Sequence, residues 1–376
     1  MTNSPTGIEI ACRLHEDALA LRAAGRAADA APLADLALEI LEREQGPDSP
    51  DVANVLNVLA SIHEELGGLD RAEAFAQRAL EALERTGDDS LDAARLTTHS
   101  LGLLANLHRS QGRHGEAEEE FRRALALTEE TFGPGDLQMA ALLNGLGILH
   151  KFQGRYDEAE PLYRRALAIA EAAWGPGHLE TASLWHNLGG LEHARGRAPE
   201  GEPYARRSVE IREEALGPYH PDVAADKAAL AALIDAQGRF DEAEELYREA
   251  LAVFERVYGP EHYEIAVNLN NLAAIHQARG EAAEAERLYR RAAEIKERVL
   301  GPDHYDLALT LHNLATLLAD RGRPAEAEAL YGRALDVFER VLGPDHPHTR
   351  ICRESAAALQ ACAQCAREGE RALFLA

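Results

Sequence analysis

Apolar residues recur three and four apart through most of the chain, the spacing of helices that bury one face. The stretch YEIAVNLNNLAAIHQARG, ending at Gly280, carries it, and so does EAAEAERLYRRAAEIKERVLGP, ending at Pro302. The two alternate along the chain. Gly-Pro pairs start at Gly133, Gly175, Gly217, Gly259, Gly301 and Gly343, each step being 42 residues. Lone glycines at Gly112, Gly154, Gly196, Gly238, Gly280 and Gly322 keep the same step, and Gly25 and Gly67 precede them. A three-residue insertion near RTGDDSLDAARL offsets the register between the two sets. Such a period marks a stack of repeated units. Each unit is a first helix from Gly-Pro to lone glycine and a second helix back to Gly-Pro. The short glycine turn makes them antiparallel.

The turn residues have mechanical work to do. Gly301 can adopt a positive φ that closes the preceding helix, and Pro302 prevents its continuation. Ser49 suits an N-cap and Pro50 the first helical position. His220 precedes Pro221, and His346 precedes Pro347, in the same way. Asp306 and Glu264 favour the positive end of a helix. The histidines His178, His220, His262, His304 and His346 therefore sit at corners between units, where they cap or pack. They are one unit apart, too far to share a metal ion.

Small and large residues form columns in the second helices. Ala117, Ala159, Ala243, Ala285 and Ala327 form one, and Ala124, Ala166, Ala250, Ala292 and Ala334 another. Between them stand Phe121, Tyr163, Tyr247, Tyr289 and Tyr331. Rings beside alanines interdigitate, so these tyrosines read as packing groups. The stretch GRAPEGEPYARRSVEI breaks the pattern with Gly201, Ala205 and Ser208, and adds Pro199 and Pro203. It predicts a looser, slightly bent unit with a local minimum in stability. His63, His108, His150 and His276 form a further column, read as half-buried packing groups.

LNNLAAIHQARGEAAEAERLYRRAAEIKERVLGPDH and LNGLGILHKFQGRYDEAEPLYRRALAIAEAAWGPGH carry this combination of columns. The chain thereby resembles the tetratricopeptide repeat family, in the 42-residue form of kinesin light chains and as a bacterial-like stand-alone array. The resemblance implies an all-α, right-handed α-solenoid superhelix of antiparallel helix pairs. Residues 1–24 would supply a first helix, residues 25–345 a continuous array, and residues 346–376 a capping helix and tail. Eight helix pairs are expected before the cap, which would cover the last exposed apolar face.

The same resemblance places the first helices along a concave groove that binds peptides. In one column there stand Asn57, Gly102, Asn144, His186, Ala228, Asn270 and His312; the next carries Asn187, Asn271 and Asn313, and Asn106 lies one turn further on. An asparagine amide both donates and accepts, so it can pair with a peptide bond. It can equally bond to a neighbouring repeat and set the pitch, and the sequence leaves both open. Ala228 and Ala229 interrupt the ladder. Lys227 stands where Leu143, Trp185, Leu269 and Leu311 recur; its stem would pack with the ammonium reaching water, or it would touch a ligand. Glu64, Arg109, Lys151, His193, Asp235 and Gln277 border the groove. Arg109 and Lys151 suit an acidic peptide, as in the light chains.

Composition narrows the partners. Among 376 residues, 64 are acidic and 39 basic, a net charge of −25. That charge disfavours nucleic acid and anionic membrane, and favours a basic partner, so the sign of the ligand stays open. The N-terminal stretch does not read as a signal peptide and no apolar run is long enough to span a bilayer, so a cytoplasmic setting is expected. Cys352, Cys362 and Cys365 include a CxxC late in a helix, which suits neither redox work nor structural zinc. No phosphate-binding loop, GxSxG or HExxH occurs. The reading is a protein- or peptide-binding scaffold, without cofactor, metal or catalysis. The alternative is a regulatory sensor whose superhelix changes shape on binding a peptide or small signal. Self-association stays open.

Overall fold

The computed structural model describes residues 6–374, with side chains over residues 6–361. The chain divides into two compact units, Met1–Arg195 and Gly196–Ala376. The first holds α1 (Gly7–Ala23), α2 (Ala27–Gln45), α3 (Pro50–Glu65), α4 (Leu69–Thr86), α5 (Leu91–Ser110), α6 (His114–Phe132), α7 (Leu137–Phe152), α8 (Tyr156–Trp174) and α9 (Leu179–Ala194). The second holds α10 (Ala198–Leu216), α11 (Pro221–Asp235), α12 (Phe240–Tyr258), α13 (Tyr263–Ala278), α14 (Ala282–Leu300), α15 (Tyr305–Asp320), α16 (Pro324–Leu342) and α17 (Pro347–Phe374). No strand occurs among the described residues. None of their helices is long and apolar enough to cross a membrane.

Antiparallel pairing dominates both units. In the first, α1 packs on α2, α3 on α4, α5 on α6 and α7 on α8; in the second, α11 packs on α12, α13 on α14 and α15 on α16. Within each unit, a first helix also meets the first helix of the next pair, as α5 meets α7 and α13 meets α15. The C-terminal α17 packs on α16 and α15.

The corners follow from local chemistry. Gly280 has φ +78°, and the Glu281 N–H reaches back to the His276 carbonyl at 2.8 Å, closing α13. Gly301 has φ 86° and ψ 166°, a region almost restricted to glycine. All five corner histidines are N-caps that work through Nδ1. They accept from the backbone N–H of Glu180 (3.2 Å), Asp222 (3.2 Å), Glu264 (3.3 Å), Asp306 (3.1 Å) and His348 (3.3 Å). Ser49 and Asp136 do the same at α3 and α7.

The packing columns are buried as a set: every alanine in both is inaccessible to solvent, and Phe121, Tyr163, Tyr247, Tyr289 and Tyr331 are at most 3% exposed. Removing such a ring would cost about 3–5 kcal/mol. At the irregular unit, α10 keeps the full 19 residues of its counterparts despite Pro203 inside it. Ser208 lies where alanine recurs and is fully buried. Its hydroxyl donates to Asp226, and Arg212 ion-pairs with the same carboxylate at 2.5 Å. Asp226 is 1% exposed, so this ion pair lies in the core between α10 and α11.

From α4 onward, a second set of contacts ties one pair to the next. A glutamate early in one second helix meets an arginine beside the lone glycine of the following pair. The pairs are Glu73 with Arg113, Glu118 with Arg155 (2.8 Å), Glu160 with Arg195 (2.6 Å), Glu202 with Arg239 (2.7 Å), Glu244 with Arg279 and Glu286 with Arg323 (2.7 Å). A hydrogen bond from Arg113 holds the Glu73 carboxyl down at about 2. Burial pushes Glu202 up, but hydrogen bonds from Gln237, Arg239 and Arg206 outweigh it and hold its carboxyl at about 2. The histidines expected to be plain packing groups join this seam. His108 bonds Glu120 at 2.8 Å and Glu73 at 3.4 Å, His150 bonds Glu118 at 3.3 Å, and His276 bonds Glu281. His63 stacks on Phe75 at 5.3 Å.

Candidate functional site

In each unit the polar columns lie on the first helices, here called the wall of that unit. In the first unit, the Asn187 amide on α9 donates to Asn144 Oδ1 on α7 at 2.7 Å. In the second, Asn313 on α15 donates to Asn270 Oδ1 on α13 at 3.4 Å, and Asn270 donates to Asn271 Oδ1 at 3.4 Å. A further hydrogen bond joins the Asn271 side chain to Tyr247. These asparagines are half-buried. Of the two roles open in the sequence, these bonds are the inter-repeat one: they link successive first helices.

Two candidates behave differently. Asn57 is 1% exposed, with its Oδ1 accepting from Ser100 on α5 at 2.9 Å. It is a seam residue and is withdrawn from the groove set. Its partner on the next first helix is a serine rather than an asparagine. Asn106 donates to the Gly102 carbonyl of its own helix at 3.0 Å, and its Oδ1 accepts from Arg109 at 3.4 Å. His312 is half-buried with its ring 5.4 Å from that of Tyr331. Burial and the neighbouring His348 lower its pKa. His186 is half-buried on α9, one residue before Asn187.

Charge on the wall is uneven. Burial alone lowers the pKa of Lys151, and no carboxylate raises it. The side chain crosses from α7 to α9, where a Cβ on Gly190 would lie 2.7 Å from Nζ. The ammonium in turn lowers His193, together with desolvation. Arg109 is half-buried with its Nε unpartnered, and it offsets the upward effect of burial on Glu64. The first unit therefore carries two cations, Arg109 and Lys151, bordered by His193 and with Glu64 at one end. In the second unit, burial raises Asp235, and Gln277 accepts from Tyr289 at 3.1 Å.

Lys227 lies elsewhere. Its ammonium pairs with Glu249 at 2.8 Å and Glu213 at 3.1 Å, on the side of α11 that faces α12. Only its leucine-column position hinted at this, and the sequence did not show which acids it meets. Among the described residues no group of three histidine, cysteine, aspartate or glutamate side chains could hold a metal. Cys352 is buried, and the side chains of Cys362 and Cys365 lie outside the described residues.

The tetratricopeptide repeat model matches residues 10–85, 95–172, 180–255, 225–298, 264–339 and 306–367. The chain belongs to the tetratricopeptide repeat family. No curated protein matches it. Among solved structures, a Rap protein complexed with Competence and Sporulation Factor is similar at 15% identity, covering 93% of this chain and 97% of that one, with a TM-score of 0.57. The apo form of RapI is 14% identical, covering 77% and 98%, with a TM-score of 0.59. BtubC (BKLC) from P. vanneervenii is 22% identical, covering 74% and 94%, with a TM-score of 0.44. The two Rap likenesses speak for a shared helical-repeat fold.

Proposed function

We propose that this tetratricopeptide repeat protein is a scaffold of the light-chain-like type, working in the cytoplasm, that binds an extended peptide segment of a protein partner along its first-helix wall. The observation that carries this is the pairing of Asn187 with Asn144 and of Asn313 with Asn270. Each pair fixes amides on a wall where both a donor and an acceptor are useful, and a peptide main chain offers both. Arg109 and Lys151, without a carboxylate bonded to either side chain, favour an acidic segment over the basic one that net charge alone suggests. Binding along a wall of repeated helices needs no catalytic step, and none is assigned.

The test is affinity capture from the native lysate, beside a variant with alanine at Asn187, Asn270, Asn271 and Asn313. A segment held by these amides loses at least tenfold in binding, in line with several lost hydrogen bonds. Unchanged capture by a variant of intact helicity would refute the assignment. A second reading, a sensor that changes shape on binding, is favoured by the likeness to a Rap protein solved with its factor. It requires the radius of gyration to change on saturation with ligand, and an unchanged value sinks it.

A further inference from the structure

Three departures from the repeat pattern converge on one cleft of the second unit. Tyr219 stands where Asp48, Glu261 and Asp303 recur, Lys227 where leucine or tryptophan recurs, and Glu249 where Arg165, Arg291 and Arg333 recur. All three line a cavity of about 440 Å³ with Pro218, Ala224, Ala252, Val253 and Arg256. The cavity uses none of the wall asparagines.

The regular repeats show what was exchanged. Arg165 pairs with Glu129, Arg291 with Glu255 and Arg333 with Glu297, each from one second helix to the one before. Glu249 replaces that arginine, so it adds a second carboxylate near Glu213. Lys227 bonds both, which leaves the trio with one negative charge in excess. At the other end, Arg85 pairs with Asp48, Arg298 with Glu261 and Arg340 with Asp303. Arg256 has Tyr219 in place of its acid: the guanidinium lies 4.7 Å from the ring centroid and donates to the Tyr219 carbonyl at 3.1 Å. Stacking leaves its charge without a carboxylate.

The face of α12 that lines the cleft therefore reads acid, small, small, base: Glu249, Ala252, Val253, Arg256. Seven residues of helix separate its ends, a rise of about 10 Å. We propose that this cleft is a binding site for a small dipolar molecule of the ω-cationic amino-acid class, such as arginine or lysine. The carboxylate meets Arg256, the methylene stem lies on Val253, Ala252 and the Tyr219 ring, and the cationic end meets Glu249 and Glu213. Such a ligand restores both exchanged interactions of the regular repeats, a guanidinium on the glutamates and a carboxylate on the arginine. A volume of about 440 Å³ is of the size of small-molecule pockets, so a free small molecule suits it.

Isothermal titration of the full chain with L-arginine and L-lysine tests this. At least one binds with a dissociation constant of about a millimolar or tighter. Agmatine, which lacks the carboxylate, and L-norvaline, which lacks the side-chain cation, each bind at least tenfold more weakly, the value of one charge-assisted contact. Arg256→Gln weakens L-arginine tenfold or more while leaving agmatine unchanged, and Glu249→Gln does the same for L-arginine while leaving norvaline unchanged. Circular dichroism confirms that both variants keep their helices. No binding of either amino acid overturns the proposal, as does equal binding of agmatine or norvaline, or indifference to both substitutions. The wall-asparagine variant binds L-arginine as the parent does, so loss of the peptide reading would leave this one standing.

Discussion

Glu202→Gln isolates the value of the glutamate seam. The side chain is 14% exposed and accepts from Gln237 at 2.8 Å, Arg239 at 2.7 Å and Arg206 at 2.7 Å. Its carboxyl is held at about 2 rather than its ordinary 4.5, a gap worth at most about 3 kcal/mol. Screening and the retained contacts of Arg206 and Arg239 with Glu242 reduce that to about 1–2 kcal/mol. The folded-state value is depressed, so the stabilisation is fully present above about pH 4.5 and is lost as the pH falls through 2. Glutamine keeps the shape and one acceptor but never carries the charge. The variant should therefore unfold at lower urea than the parent at pH 7, and the gap should close as the pH approaches 2. Unfolding of repeats can be stepwise, so amide exchange on α10 and α12 accompanies the urea titration. Glu210→Gln is the control, because its partner Arg207 lies on an exposed turn of the same helix. A gap that persists unchanged at pH 2, or one no larger than the control's at pH 7, refutes the reasoning.

Burial lowers the pKa values of His15, His150 and His312 from 6.5. Folding therefore resists their protonation, stability falls as the pH drops below 6.5, and melting midpoints should be lower at pH 5.5 than at pH 8. Replacing His304 by alanine removes the acceptor for the Asp306 N–H and should lower stability by about 1 kcal/mol, whereas aspartate, a better cap, should restore it; urea midpoints decide. Arg212→Ala removes the cation that pairs with the buried Asp226 carboxylate and should cost about 3–5 kcal/mol, while Arg207→Ala on the surface should cost under about 1 kcal/mol. Equal effects of these two would show that the α10–α11 pair is not held by its buried ion pair.

The repeat was legible because its signals are local. Glycine and proline act on their own φ and ψ, and apolar spacing follows the helical period. The 42-residue step between Gly133 and Gly343 thus predicted the helix pairs, their corners and the alanine and tyrosine columns. The corner histidines could be placed as caps or packing groups, but their use of Nδ1 depended on backbone geometry at each helix start. Asn57 was misplaced because one column holds both half-buried and fully buried positions, and its burial against Ser100 of α5 has no mark in the sequence.

Tertiary structure alone decided the contacts between residues about 35 to 43 positions apart. The glutamate seam joins second helices to the turns of the next pair, and neither partner has a helical neighbour that marks it. Lys227 reads as an intruder in a leucine column until Glu213 and Glu249 are seen around it. Lys151 is an ordinary surface lysine in sequence, and it becomes a lowered, unneutralised cation only where it lies across Gly190. Periodicity determines which elements form and in what order. Stacking brings together side chains one repeat apart, and that distance in sequence carries no local signal of which charges will meet or which will be left without a partner.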